Sequence, residues 1–269
     1  MSDFGIIGIG RIGTSMARNM SSKGIIVSLY DKSHNSLDNL KSDYPELESS
    51  IAFDDINKFI RSISKPRKVL VLVPSGPALD EVISLLIQYL DSNDILIDGG
   101  NTNPNVSFEN HQTIKSKNLL YLGMGVSGGV KGVLEGPSIM IGGDTYAFDQ
   151  VKNIFSQITS KTINGSKSFE FFGDSNQGHF VKMIHNGIEY VEMQLISSIY
   201  YLMINSKKYM YDDVAKIFKK WNDIDLNSYL LEISLLKLTE KTDNGYLLDR
   251  IDDKADDNGT GRWMLKHAI

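Results

Sequence analysis

The sequence has no cysteine in 269 residues. Disulfides, thiolate nucleophiles and cysteine-ligated metals are therefore excluded, and the absence fits a reducing compartment. A basic block is also missing. The 28 Lys and Arg stand against 33 Asp and Glu, a net charge of −5 with the histidines neutral, which argues against nucleic acid as the main partner. No apolar run approaches the roughly 18 residues of a transmembrane helix. The start enters an apolar strand pattern by Phe4 with no basic region or cleavage site before it, so neither a signal peptide nor a membrane anchor is expected and the cytoplasm is the expected location. Repeats, low-complexity tracts and clusters of metal-ligand residues are absent as well, and no metal is expected.

What is present is an alternation. The runs "FGIIGIG", "IIVSLYD", "KVLVLVP", "DILIDGG", "LLYLGMGVSGG", "PSIMIGG" and "FEFFG" are each short, apolar and closed by Gly, Pro or Asp. Amphipathic stretches such as "LDEVISLLIQYL" lie between them. Strand and helix in turn predict an α/β fold, an N-terminal Rossmann-type doubly wound sheet. After Gly173 the pattern becomes helical, with a long periodic segment behind Asp174, Ser175 and Asn176 as cap residues. The expected division is a dinucleotide-binding domain over residues 1–173 and an all-α substrate and dimerisation domain over 174–269. Its long apolar helices suggest a homodimer or higher homo-oligomer. Gly187 within the first of these helices costs about 1 kcal/mol relative to Ala, so either something near it requires a small residue or the helix bends.

"GIGRIG", Gly8 to Gly13, has the spacing G-x-G-x-x-G after a strand and before a helix, and a second strand ends in Asp31, 18 residues past Gly13. That context makes it a dinucleotide loop. Gly8 allows the tight turn, Gly10 lets backbone approach the pyrophosphate, Gly13 lets the helix pack close, and the helix N-terminus, with Arg11 and Ile12, offers amide donors. A carboxylate at Asp31 accepts from a ribose 2′-hydroxyl and repels a 2′-phosphate, which favours NAD; Lys32 beside it would pair with such a phosphate, so NADP stays open. "DGGNT" with Asn101 and "GMGVSGGVKG" with Ser127, Gly128 and Gly129 lie where strands end and ligands of such sheets bind.

In "GHFVKMIHNGIEY", at about 100° per residue, Lys182, His185, Asn186 and Glu189 share one face within about 100°, with Gly178 beside them and Tyr190 at the edge. Phe180, Val181, Ile184, Ile188 and Val191 fall mostly on other sides, where packing is expected. A lysine in a closed cleft acts as a base near neutral pH.

These residues carry a resemblance. "GHFVKMIHNGIEYVEMQL", "GIGRIG", "LVPSG", "DGGNT", "GVSGGVKGVLEGPSIMIGG" and "GTGRW" resemble the decarboxylating 6-phosphogluconate dehydrogenase family over nearly the whole chain, in a short form of its helical domain. Lys182 and Asn186 match a K-x-x-x-N shared with the wider β-hydroxyacid dehydrogenases; His185, Glu189 and Tyr190 are more specific. The resemblance implies oxidation of 6-phosphogluconate and its decarboxylation to ribulose 5-phosphate. Lys182 would be the general base, and Glu189 the acid that protonates the enediol. Asn101, Ser127, Gly128, Gly129, His185, Asn186, Tyr190, Thr260 and Arg262 would hold the sugar acid, while Gly8, Gly10, Arg11, Ile12, Gly13, Asp31, Lys32, Val73, Pro74 and Asn101 would line the cofactor site. Two departures bear on the 6-phosphate: Asn258 stands where the family has a lysine, and a later arginine-bearing helix would lie past Ile269. Arg262, Lys254 or a second subunit would have to supply the charge. The alternatives left open are another β-hydroxyacid dehydrogenase or imine reductase acting on an unphosphorylated substrate, and a weakly active dinucleotide-binding protein.

Overall fold

Each of the seven apolar runs becomes a strand in the computed structural model, which describes residues 1–33, 37, 40–162, 164–252, 254–257 and 259–269. They are β1 (Phe4–Ile7), β2 (Val27–Tyr30), β4 (Lys68–Val71), β5 (Ile95–Asp98), β6 (Leu120–Ser127), β7 (Ser138–Gly143) and β8 (Phe169–Phe171). An eighth, β3 (Ile51–Phe53), has no counterpart among the runs read from the sequence. It is three residues long at the sheet's edge, with Ile51 and Ala52 exposed, too short for a periodicity to register. The order is β3-β2-β1-β4-β5-β6-β7-β8. Neighbours run parallel except β6 and β7, which are antiparallel from Leu122↔Gly143 to Ser127↔Ser138.

Both faces of this sheet are covered, and side chains alternate between them. Phe4 and Ile6 of β1, Leu70 of β4 and Ile95 and Ile97 of β5 join Met16, Met20 and Phe155 in one core. Ile7, Val69, Val71 and Leu96 join Phe59, Leu86 and Tyr121 in the other. The covering helices are α1 (Arg11–Ser22), α2 (Leu40–Asp43), α3 (Ile56–Ser62), α4 (Pro77–Leu86), α5 (Pro104–Lys115), α6 (Gly129–Glu135) and α7 (Thr145–Ile158). Proline at the first turn starts α4 and α5 without loss, since the missing amide would be unpaired there anyway.

The chain forms two compact units, Met1–Met183 and Ile184–Ile269, and the division falls within helix α8 (Gln177–Asn205). The second unit continues with α9 (Tyr211–Asp223), α10 (Tyr229–Thr239) and α11 (Thr260–Ala268). Its own core is Val214, Phe218, Leu231 and Leu238, flanked by Ile196, Tyr200, Met203 and Trp221. Among its described residues the regular structure is helical apart from a hairpin of two two-residue strands, β9 (Lys241–Thr242) and β10 (Gly245–Tyr246), which has no apolar run to announce it. Among the described residues no helix is long and apolar enough to cross a membrane.

Candidate active site

Register brings the carboxyl ends of the parallel strands into one row. Ile7 is opposite Val71, Val71 opposite Asp98, and Asp98 opposite Gly123. β1 lies between β2 and β4, so the chain leaves the sheet in opposite directions on its two sides and opens a crevice there. The glycine loop borders it. Gly8 has φ +92°, a conformation that L side chains rarely adopt. A Cβ on Gly13 would collide with the Gly8 carbonyl, so close packing of α1 depends on its absence. Gly10 has nothing within 4 Å of a Cβ position, and it caps α1 with no side-chain cap bond and no acidic residue in the first turn. The first-turn amides and the positive end of the helix dipole therefore suit an anionic pyrophosphate.

Asp31 follows β2, and its carboxylate is already engaged by backbone. Ile9 N–H donates to Oδ2 at 2.8 Å and Ser33 N–H to Oδ1 at 2.8 Å. Each oxygen keeps acceptor capacity beyond these bonds. Lys32 reaches Glu81 at 3.3 Å with both side chains largely exposed, a pair that holds it weakly. Val73 and Pro74 follow β4. The Val73 carbonyl lies 3.1 Å from a Cβ position on Gly100, so the turns after β4 and β5 abut.

The first unit also holds Lys182. A Cβ on Gly178 would collide with the Gly123 carbonyl and come within 2.7 Å of Gly142 N and Met140 O. The start of α8 thus lies directly on the backbones of β6 and β7. Lys182, one turn further, is 7% exposed, and a Cβ on Gly125 would collide with its Cβ. Ser127 is two residues beyond Gly125 and so on the same face of β6. Gly128 (φ +135°) and Gly129 (φ +58°) turn the chain from β6 into α6. Asn101 follows Gly100 on the exposed side of its turn. In the same region Asp98, Ser107, Tyr121 and His179 form a buried polar group that the sequence reading left without a role. Its members are up to 81 residues apart in sequence, so spacing could not gather them; the only local signal was a histidine beside a helix-starting glycine.

In the second unit, Asn186 is buried and donates through Nδ2 to Thr260 Oγ1 at 3.1 Å. His185 Nδ1 lies 3.3 Å from Asn186 Oδ1 and 3.6 Å from Glu189 Oε2. Both neighbours accept, so a proton belongs on Nδ1. Glu189 is about one-third exposed, and Tyr190 is half-buried. Met264 of α11 answers the question posed by Gly187: a Cβ there would collide with the Met264 side chain. The expected packing of the apolar flanks needs correction. Ile184, Ile188 and Val191 are exposed, whereas Lys182 and Asn186 of the polar stripe are buried. On this stretch the polar face is the inward one.

Arg262 is largely exposed and bonded to Asp257, through Nη2 at 2.8 Å and Nε at 3.1 Å. The Gly259 amide and then Arg262 lower the Asp257 pKa. Lys254 is exposed. Asn258 lies outside the described residues. Among those residues no three His, Cys, Asp or Glu side chains are grouped to hold a metal ion.

Residues 3–166 match the family described as the NAD binding domain of 6-phosphogluconate dehydrogenase, and residues 178–269 match the C-terminal domain of 6-phosphogluconate dehydrogenase. The decarboxylating 6-phosphogluconate dehydrogenase of Staphylococcus epidermidis is 38% identical over 268 residues, covering 98% of this chain and 57% of its own. The human protein of that description is 36% identical, over 100% of this chain and 56% of its own. The chain therefore spans somewhat more than half the length of the curated relatives it matches. Among solved structures, Plasmodium falciparum 6-phosphogluconate dehydrogenase, described with its cofactor NADP+ and its substrate 6-phosphogluconate, superposes with a TM-score of 0.92 at 38% identity, over 99% of this chain and 57% of that one. A Mycobacterium tuberculosis 3-hydroxyisobutyrate dehydrogenase reaches a TM-score of 0.69 at 17% identity, over 86% of this chain and 73% of its own, a likeness of fold alone.

Proposed function

The chain belongs to the 6-phosphogluconate dehydrogenase family, and on that premise we propose that it converts 6-phosphogluconate to ribulose 5-phosphate and carbon dioxide with reduction of a nicotinamide dinucleotide. We take residues 1–173 as the dinucleotide-binding domain and 174–269 as the helical one. Gly8–Gly13, Asp31, Val73 and Pro74 would hold the dinucleotide, which would supply the acceptor for the hydride from C3 of the sugar acid. Lys182 takes the C3 hydroxyl proton as that hydride leaves. The resulting 3-keto acid loses its carboxyl group: the C1–C2 bonding electrons move into the C2–C3 bond, and Lys182 returns a proton to the C3 oxygen. Glu189 then protonates the carbon that lost carbon dioxide while the C3 hydroxyl releases its proton to water, and the enediol becomes the ketone. Asn101, Ser127, Gly128, Gly129, His185, Asn186 and Thr260 orient the sugar acid, and Tyr190 receives its phosphate. The observation that supports this reading most is the burial of Lys182 on glycine-built contacts with β6, beside Ser127. Desolvation disfavours a charged amine and suits it to take a proton. Purified protein with 6-phosphogluconate and each dinucleotide, followed at the nicotinamide absorbance, tests it.

NAD is the proposed preference, in contrast to the NADP+ of the Plasmodium neighbour. Asp31, held in place by Ile9 N–H, sets a negative charge where a 2′-phosphate would lie. The expected result is a higher kcat/KM with NAD. A ratio favouring NADP would shift recognition to Lys32 and Ser33.

For the 6-phosphate, Arg262 is the proposed cation, competed for by Asp257. Asp257→Asn is expected to lower KM for 6-phosphogluconate several-fold, Asn258→Lys to lower it further and Arg262→Ala to raise it, each leaving KM for the dinucleotide unchanged. Silence of all three would remove the phosphate from this segment and favour an unphosphorylated hydroxy acid. Ile188, Val191, Leu195, Ile199 and Leu202, all exposed along α8, support a homo-oligomer, which the mass in solution would test.

A further inference from the structure

His179 takes no part in the chemistry above, yet it is 2% exposed and its ring nitrogens meet partners of different kinds. Nδ1 lies 2.8 Å from Ser107 Oγ. Nε2 faces the Asp98 carboxylate at 4.0 Å, and the backbone carbonyls of Asp98 and Gly100 are weak acceptors for the ring, none of them in ordinary hydrogen-bond geometry with Nε2. Burial pushes the ring pKa down, so it carries one proton. With only acceptors around Nε2, the proton belongs there, and Nδ1 accepts from the Ser107 hydroxyl. Asp98, fully buried at the end of β5, gathers the other donors. Gly100 N–H donates to Oδ1 at 3.0 Å and Tyr121 O–H to Oδ2 at 3.3 Å. Burial and the Asp98 charge hold the Tyr121 phenol protonated, and its single O–H is shared between Asp98 Oδ2 and Ser107 Oγ, 3.0 Å away, which leaves the Ser107 proton for His179. Four elements meet here: β5 through Asp98, α5 through Ser107, β6 through Tyr121 and α8 through His179.

We propose that His179, as the Nε2–H tautomer, is a positioning residue that fixes the Asp98–Asn101 turn against the first turns of α8 and so keeps Asn101 and Lys182 in register. Its catalytic consequence rests on the functional reading above; its effect on the turn does not. His179→Gln keeps an N–H near the Nε2 position, and His179→Asn keeps one near Nδ1 only. His179→Leu keeps neither. The Leu and Asn variants are expected to lower kcat roughly 10- to 100-fold, as small misplacements of reacting groups do, with KM for the dinucleotide changed less than about twofold. The Gln variant should recover most of kcat. Rescue by Asn instead of Gln, equal rescue by both, or an unchanged Leu variant would each overturn the assignment. If the Leu variant fails to fold, the Gln and Asn pair carries the same comparison. Amide exchange gives a readout that needs no turnover: Gly100 N–H should exchange faster in His179→Asn than in His179→Gln, and equal rates overturn the proposal. Absence of any 6-phosphogluconate turnover by the unaltered protein would end the functional reading and leave the positioning claim to that exchange comparison.

Discussion

Lys182→Met is expected to abolish oxidation of 6-phosphogluconate while dinucleotide binding persists. A general acid–base group contributes about 10²–10⁴-fold, and this lysine is proposed to serve two steps, taking the C3 hydroxyl proton and then returning one to the same oxygen. Methionine preserves the unbranched stem that lies against Gly125, so folding should survive and the loss should appear in kcat. Dinucleotide binding, read by quenching of protein fluorescence or by calorimetry, is the control, because the glycine loop after β1 is built by other residues. Near wild-type turnover in the variant would place the base elsewhere.

Gly178→Ala is the second large effect. Its added Cβ meets the Gly123 carbonyl, Gly142 N and Met140 O, and these are backbone atoms within paired strands that cannot rotate away. The start of α8 must lift or the sheet must shift. Overpacking of this kind costs about 1–3 kcal/mol, which should lower Tm by several degrees in a chain of this size. Turnover should fall more than stability alone explains, since Lys182 follows on the next turn. Ala at Gly24, where nothing lies within 4 Å of a Cβ position but φ is +79°, isolates the cost of backbone strain. Equal Tm for Gly178→Ala and the unaltered protein would mean that α8 does not lie on β6 and β7 as closely as described.

Much of the fold was legible because buried parallel strands need continuous apolar runs, and each of those runs became a strand. What the runs lacked was direction and partner. Nothing in "PSIMIGG" shows that β7 runs antiparallel to β6. β3 and the 241–246 hairpin are too short to carry a pattern. In the candidate site, Gly8–Gly13 was readable because a phosphate loop fixes its residues within one local turn, and Asp31 because it closes the next strand. The stripe on α8 was readable as a stripe, but its orientation was not: Ile188 lies out and Asn186 in. Periodicity gives the angle between faces, and tertiary contacts decide which face is buried. His179 shows the limit of spacing. Its partner Ser107 is 72 residues away, and only the fold joins them.

The decisive measurement uses 6-phosphogluconate labelled with carbon-13 at C1 and counts labelled carbon dioxide against reduced dinucleotide. Oxidative decarboxylation through Lys182 and Glu189 requires one of each per turnover, with ribulose 5-phosphate as the remaining product and both signals lost together in Lys182→Met. Dinucleotide bound but not reduced, or reduced without release of labelled carbon dioxide, would contradict it.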